Sequence, residues 1–320
     1  MKSITGAILA MAVTTLSGAA AFAEEPTYAE KLGWPKGSKV VIFHVDDAGM
    51  HHDANMGAIE AIEKGVATSA SIMFPCPWVV EMADYAKAHP DADIGVHCTL
   101  TSEWDIYRWG PVAGKPAVPG LVDPEGCLWP DVEDVAKNAT PDEFETELRA
   151  QLDRCRTLGI TPTHLDTHMG TVFATPAFVE RYIRVGAENG IPVMVPGGHA
   201  QFLAIDSPDM VDGVPALGAM VWALGLPVLD DVHTGYGCKD SKDKKAQIIE
   251  FLRTMKPGLT QFIVHCTRPS ETFKHITGSG PMRLAELEAL TSPEVKKAVE
   301  EEKIILTTWR ELKQRRDAAK

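Results

Sequence analysis

Short β-branched or apolar runs recur along the chain with helical patterns between them, and that alternation restricts the fold to a largely parallel sheet assembled from βα units. Eight such runs can be read: Lys39–Val45, Ser69–Phe74, Asp93–Leu100, Pro162–Thr167, Pro192–Pro196, Pro227–Val232, Gln261–Cys266 and Lys303–Thr308. Stretches such as VVIFHV and FIVHC are almost unbroken in apolar residues, the pattern of strands covered on both faces. Helices are predicted over Ala54–Lys64, Val79–Ala88, Pro141–Leu158, Pro176–Asn189, Ser241–Met255, Met282–Leu290 and Pro293–Glu302. Thr140, with Glu143 near the helix start, predicts a capped N-terminus, and Gly65, Gly159 and Gly190 are expected to end helices in the left-handed conformation. Neither a repeat nor a Ser/Gly linker divides the sequence, so one α/β domain is expected over residues 24–320.

Ser102–Asn138 is the exception, rich in Pro, Gly and Trp and without periodicity. An insertion of that length directly after a histidine-bearing strand end is expected to fold as a loop over the functional site. The N-terminus stands apart for another reason. Lys2, an apolar run from Ile4 to Leu16 and the small-residue ending Ala21-Phe22-Ala23 read as a cleavable secretory signal over residues 1–23. Thr5, Gly6, Thr14, Thr15 and Ser17 dilute the run too far for a membrane anchor, and no later segment could span a bilayer. The expectation is therefore a protein exported to the periplasm or beyond the cell.

With 31 basic against 44 acidic side chains, the chain carries a net charge of -13, which repels phosphate backbones and anionic membranes. Nucleic acid is thereby excluded as a partner. The six cysteines, Cys76, Cys98, Cys127, Cys155, Cys238 and Cys266, contain no CxxC pair, so neither a thiolate zinc knuckle nor a thioredoxin-type motif is supported. Their pairing stays open, as does oligomeric state, a homo-oligomer included.

In a βα barrel the side chains at the carboxyl ends of the strands converge on one mouth. Here those ends carry carboxylates and imidazoles: Asp46 and Asp47 in HVDDAGM, His97 in IGVHCTLT, His164, Asp166 and His168 in THLDTHMGT, and His265 in FIVHCT. Two adjacent carboxylates are costly to bury ionised unless a cation compensates or one holds a proton. A divalent ion answers this, with one Asp binding it and its neighbour free to accept a proton from water. Two imidazoles and one carboxylate leave positions open for reactants. Singly, each residue has a plainer reading: His97 or His265 as a core histidine, the Asp pair as a helix cap, the HxxxH as a strand-end coincidence. Four strand ends each supplying a metal-compatible residue is the specific signal.

These residues resemble the YdjC-like carbohydrate deacetylases, relatives of the polysaccharide deacetylase superfamily. The likeness lies in DDAGMHHDANMGAIEAIEKGVATSASIM (Asp46 to Met73), GVHCTLT (Gly95 to Thr101) and THLDTH (Thr163 to His168), and it covers most of Val40 to Val195. It implies a distorted (β/α) TIM-like barrel that removes acetyl groups, N-acetyl foremost, from a mono- or oligosaccharide with one divalent metal ion. Zinc is favoured by ligand type; magnesium, manganese, nickel and cobalt are also compatible. Carried over by position, Asp46 resembles the catalytic base, Asp47, His97 and His168 the metal ligands, and His265 the acid that protonates the leaving group. His164 and Asp166 are expected behind the ligands, and Trp104 and Trp109 in the pocket wall, with Tyr107 and Trp129 as further loop aromatics. Two departures bear on the substrate pocket: Ala48 stands where the family has Phe, and MVPGGH (Met194 to His199) replaces a basic residue common after the fifth strand.

Two other functions fit parts of the pattern. A glycosidase on the same barrel needs a carboxylate pair that flanks a glycosidic bond, which neighbours on one strand supply poorly. An exported carbohydrate-binding protein would use the loop aromatics but has no need of a free carboxylate beside a metal-binding one.

Overall fold

The computed structural model describes residues 25–319; the expected signal segment, residues 1–23, lies outside them. The apolar runs form parallel strands β1 (Lys39–Ala48), β2 (Ser69–Ile72), β3 (Ile94–Cys98), β4 (Leu165–Thr167), β5 (Asp231–His233), β6 (Gly258–Val264) and β7 (Ile305–Leu306). The order across the sheet is β4-β3-β2-β1-β6-β5. Two bridges continue it, Leu165 with Val193 and Pro196 with Leu229, just ahead of β5. The sheet therefore curls round on itself as a distorted barrel, as the sequence resemblance implies.

Three runs depart from expectation. Pro192–Pro196 supplies bridges rather than a strand, because a proline at each end removes a ladder donor. Pro227–Val232 pairs regularly only from Asp231 onward. Lys303–Thr308 leaves the ring: β7 pairs β1 only at Val40 and Val41, and β2 takes over that edge at His44.

Around the sheet lie α1 (Tyr28–Lys31), α2 (His52–Lys64), α3 (Val79–Ala88), α4 (Val132–Asn138), α5 (Pro141–Thr157), α6 (Pro176–Asn189), α7 (Leu203–Asp206), α8 (Val214–Ala223), α9 (Ser241–Thr254), α10 (Gly280–Thr291), α11 (Pro293–Glu301) and α12 (Trp309–Ala318). Among these described helices none is long and apolar enough to cross a membrane. Thr140 and Glu143 form the expected capping box on α5, and Gly159 and Gly190 take positive φ. Gly65 does not; it is extended at φ -101, and glycine is needed there because a Cβ would sit 2.4 Å from the Ala61 carbonyl oxygen. All six cysteines are free thiols.

Strand alternation sorts β1 into two cores. Val41, Phe43 and Val45 face the helices; Val40 and Ile42 face inward, onto a floor of Leu259, Ile263, Trp309 and Leu312. Two buried carboxylates fasten the elements that close this floor. Asp230 accepts from the Tyr28 and Ala29 amides at 2.7 and 3.0 Å, and Asp93 from those of Trp309 and Arg310 at 3.0 and 2.9 Å. Over the floor the His164 ring stacks on Trp309 and lies so close to Gly95 that a Cβ there would meet it at 2.4 Å. Gly95→Ala is therefore expected to cost about 1–3 kcal/mol by overpacking, read as a lower urea midpoint at unchanged slope.

Candidate active site

The inward phase of β1 runs Val40, Ile42, His44, Asp46, ending in buried ionisable groups. On β3 the same phase yields Gly95 and His97, on β4 Asp166, and past the end of β6 His265. Asp47 should point away from its neighbour. It does not, because its backbone turns left-handed (φ 64), a conformation Asp tolerates better than most residues. Gly49, at φ 88, completes the turn, its amide donating to Asn55 Oδ1 at 2.6 Å. The turn swings both carboxylates of the Asp-Asp pair into one cluster.

Asp47 Oδ1 lies 3.1 Å from His168 Nδ1 and 3.3 Å from His97 Nε2, and the two nitrogens are 3.3 Å apart. One ligand atom from each of Asp47, His97 and His168 falls within 4.8 Å of the others, all three buried, so the group could hold a metal ion. The charge balance fits a cation. Burial disfavours the charged form of His97, yet Asp166 and Asp46 outweigh it and hold its pKa well above the usual imidazole range. His168, likewise buried, is pushed up to about 9 by Glu103 and Asp47. Burial would raise Asp47, but Arg283 and the two histidines hold it well below the usual carboxylate range. Carboxylates this enclosed call for positive charge, from protons on the histidines or from an ion in their place.

Behind the ligands Asp166 joins the groups: Oδ1 accepts from His97 Nδ1 and Oδ2 from His44 Nε2, each at 2.8 Å, and Ser71 Oγ donates to Oδ2 at 2.7 Å. With Nδ1–H committed to Asp166, His97 turns Nε2 toward Asp47 and His168. His164 is one layer deeper, its Nδ1 2.9 Å from Thr163 Oγ1 and its pKa driven well down by burial and by His44. The two histidines of the HxxxH thus separate, His168 into the cluster and His164 into the barrel floor.

Asp46 is the carboxylate the cluster leaves loose. Its Oδ1 has no hydrogen-bond partner, although His44 Nε2 lies 3.3 Å away. Burial raises its pKa, Asp166 adds to the rise, and His97, His44 and His265 oppose it. Across from it His265 presents Nε2 at 4.0 Å from Oδ2. Glu286 accepts the His265 backbone amide at 2.6 Å, lies 3.8 Å from its Nδ1, and pairs with the fully buried Lys244 at 3.2 Å.

Several partners escaped sequence reasoning. Arg283 reaches Asp47 Oδ2 at 2.7 Å from α10, so a buried basic group is present although none follows the fifth run. Glu286 sits one helical turn along on the same face. Glu103 accepts from His168 Nε2 at 3.0 Å, and His44 was an unmarked member of the VVIFHV run.

The segment Ser102–Asn138 is not structureless; it contains a 3-10 turn at Pro119–Leu121, a Val122–Leu128 bridge and α4. Glu147 of α5 fixes it by accepting the Val112 and Ala113 amides at 2.9 Å each. Glu103 and Trp104 line a cavity of about 480 Å³ together with Asp46, Asp47, His97, His168, His265 and Arg283. Trp109 does not line it. It is buried, edge-on to Trp104 at 5.3 Å and to His168 at 6.5 Å, with Nε1 donating to the Thr101 carbonyl, so it supports the wall from behind. His233 is held outside by Asp206 at 2.8 Å, and His51 N-caps α2.

A sequence profile described as YdjC-like protein matches residues 40–301. A carbohydrate deacetylase of Thermus thermophilus is 30% identical over 285 residues, covering 89% of this chain and 97% of the relative. One from Brevibacillus brevis is 29% identical over 277 residues, with coverages of 85% and 99%. A chitooligosaccharide deacetylase of Yersinia enterocolitica is 27% identical over 274 residues, with coverages of 82% and 95%. The crystal structure of an Enterococcus faecalis protein named for cellobiose-phosphate cleavage superposes with a TM-score of 0.70 at 23% identity, covering 86% of this chain and 99% of that one, a likeness of fold.

Proposed function

The chain belongs to the YdjC-like protein family, and from that premise we propose that it is a metal-dependent hydrolase that removes acetyl groups, in the first place N-acetyl groups, from a mono- or oligosaccharide. One observation carries the reading: Asp47, His97 and His168 converge beside a loose carboxylate, Asp46, that faces His265 across a cavity. The names of the relatives supply the substrate class.

Asp47 Oδ1, His97 Nε2 and His168 Nδ1 would hold the ion. It would supply positive charge for a carbonyl oxygen and make water more acidic, and the donor set favours zinc. Asp46 takes the proton from water as its oxygen attacks the acetyl carbonyl. His265 gives a proton to the sugar nitrogen as the C–N bond breaks, leaving acetate and a free amine. Glu286 holds the His265 backbone, and Arg283 fixes Asp47, while Asp46 Oδ1 is left without a hydrogen bond.

Release of acetate from a panel of acetylated saccharides, with and without added metals, tests the proposal; a panel with no acetate released in the presence of zinc defeats it. A glycosidase fits less well, because Asp47 is taken by Arg283, Asp166 by His44 and His97, and Glu103 by His168, which leaves no second loosely held carboxylate beside Asp46 among the described residues. In the proposed enzyme Asp166→Asn is expected to lower metal affinity and kcat/KM by about ten- to a hundredfold, as loss of an orienting carboxylate does, measured by chelator competition alongside turnover.

A further inference from the structure

The ring of strand ends is chemically lopsided. β1, β3 and β4 contribute most of the ionisable groups, Asp46, Asp47, His97, Asp166 and His168, and the other half adds His265 past β6. The other half offers Met194, Val232 and Ile263 at its strand ends, and Phe173, Leu203 and Met210 extend this wall along the same cavity. Met194, Val232 and Ile263 also belong to the apolar floor, so the cavity opens directly from the reacting groups onto the hydrophobic interior. Ile263 lies two residues before His265 on the same inward face of the chain.

An acetyl group leaves most of this space unused. Its methyl needs on the order of 30 Å³, about the share of one water, within a cavity of about 480 Å³. A sugar ring would fill the inner volume badly, because hydroxyls laid against Met194, Val232, Ile263 and Phe173 lose hydrogen bonds that these side chains cannot replace, Ser207 between Leu203 and Met210 in sequence being the hydroxyl on this stretch of wall. Groups able to bond a sugar stand past the strand ends: Thr234, Tyr236, which is 65% exposed, Thr277, Ser279 and the indole of Trp104. That places the saccharide at the mouth and an apolar chain within.

We infer that the preferred substrate is a saccharide amide whose acyl chain is longer than acetyl, roughly four to eight carbons by the fit of such a chain to the apolar pocket, lying along the wall from Ile263 and Val232 to Met210. The inference rests on the hydrolase reading and deepens it. The bond chemistry is unchanged: water adds to the acyl carbonyl, the C–N bond breaks, the proton goes to nitrogen, and a longer carboxylate leaves with the free amine.

The test uses the metal-loaded full protein and glucosamine N-acylated with acetyl, butanoyl, hexanoyl and octanoyl groups. Each fully buried methylene is worth about a three- to fourfold gain, so hexanoyl is expected to exceed acetyl in kcat/KM by at least about tenfold, allowing for partial burial. By calorimetry, hexanoate should bind tighter than acetate in the same order. Met210→Asp, at a partly exposed wall position, should shrink the hexanoyl-to-acetyl ratio to within about twofold, since a carboxylate beside the chain removes the gain from burial. A flat or falling series with acetyl sugars still hydrolysed overturns the inference and leaves the deacetylase reading intact. Long amides cleaved while acetyl sugars are not would uphold the inference and defeat that reading. A second series, N-acetylglucosamine β-glycosides with butyl and octyl aglycones, separates the sources of an apolar chain; a gain confined to it overturns the acyl assignment, as does equal binding of hexanoate and acetate.

Discussion

Asp46→Asn is expected to leave the fold and metal content of the protein as they are and to cut acetate release by about a hundred- to ten thousandfold, the range general base catalysis contributes. The substitution is isosteric, and Asp46 Oδ1 has no hydrogen bond to lose. The three atoms that would hold the ion, from Asp47, His97 and His168, stay in place. What disappears is a carboxylate beside these atoms whose Oδ1 accepts no hydrogen bond and whose proton affinity burial raises. The loss should fall on kcat with KM little changed, since an amide of the same shape still fits the substrate but cannot accept the proton. Turnover within tenfold of wild type at full metal occupancy would remove Asp46 from the role.

How much of this was legible in the sequence depended on phase. Runs such as Val40–Val45 and Gln261–Cys266 announced strands buried on both faces, and counting by two from Val40 or Leu259 leads inward to Asp46 and to His265. The same count passes through His44, which stood unremarked because a histidine within an apolar run has an ordinary packing explanation; only the neighbouring Asp166 and Ser71, distant in sequence, give it work. Pro192–Pro196 misled for the opposite reason: it has strand composition, but its prolines limit it to bridges.

Asp47 shows where alternation fails. Extended backbone would carry its carboxylate outward, and only the left-handed turn that Gly49 completes brings it back. A motif recognised as a unit contains that turn, and a period-two reading does not. Arg283 and Glu286 were invisible for a different reason: they are three residues apart on α10, one partnering Asp47 and the other holding His265, and their helix carries no metal-like spacing. The loop aromatics divided by depth. Trp104 reaches the cavity and Trp109 does not, a distinction set by packing around Thr101 and His168 that composition cannot express.

Stripping the protein with a strong chelator is expected to abolish acetate release and lower its thermal midpoint together, and added zinc is expected to restore both. An ion bound at a thousandfold above its dissociation constant stabilises the native state by about 4 kcal/mol. At about 2–4 °C per kcal/mol for a chain of this size, the midpoint should fall on the order of 10 °C. The stripped state keeps Asp46, Asp47, Asp166 and Glu103 close together in a largely buried cluster, balanced only by Arg283 and protons on the histidines. Two variants separate the ion from the fold. His168→Ala removes a ligand and should yield protein with substoichiometric zinc whose midpoint no longer responds to the chelator. His164→Gln alters the floor histidine, which stands with His44 and Asp166 in a separate group able to hold an ion and not with Asp47, His97 and His168, and should lower the midpoint while keeping the response. Chelator-resistant turnover in the wild type, or His164→Gln losing zinc while His168→Ala keeps it, would sink the assignment of Asp47, His97 and His168 as the ion's seat.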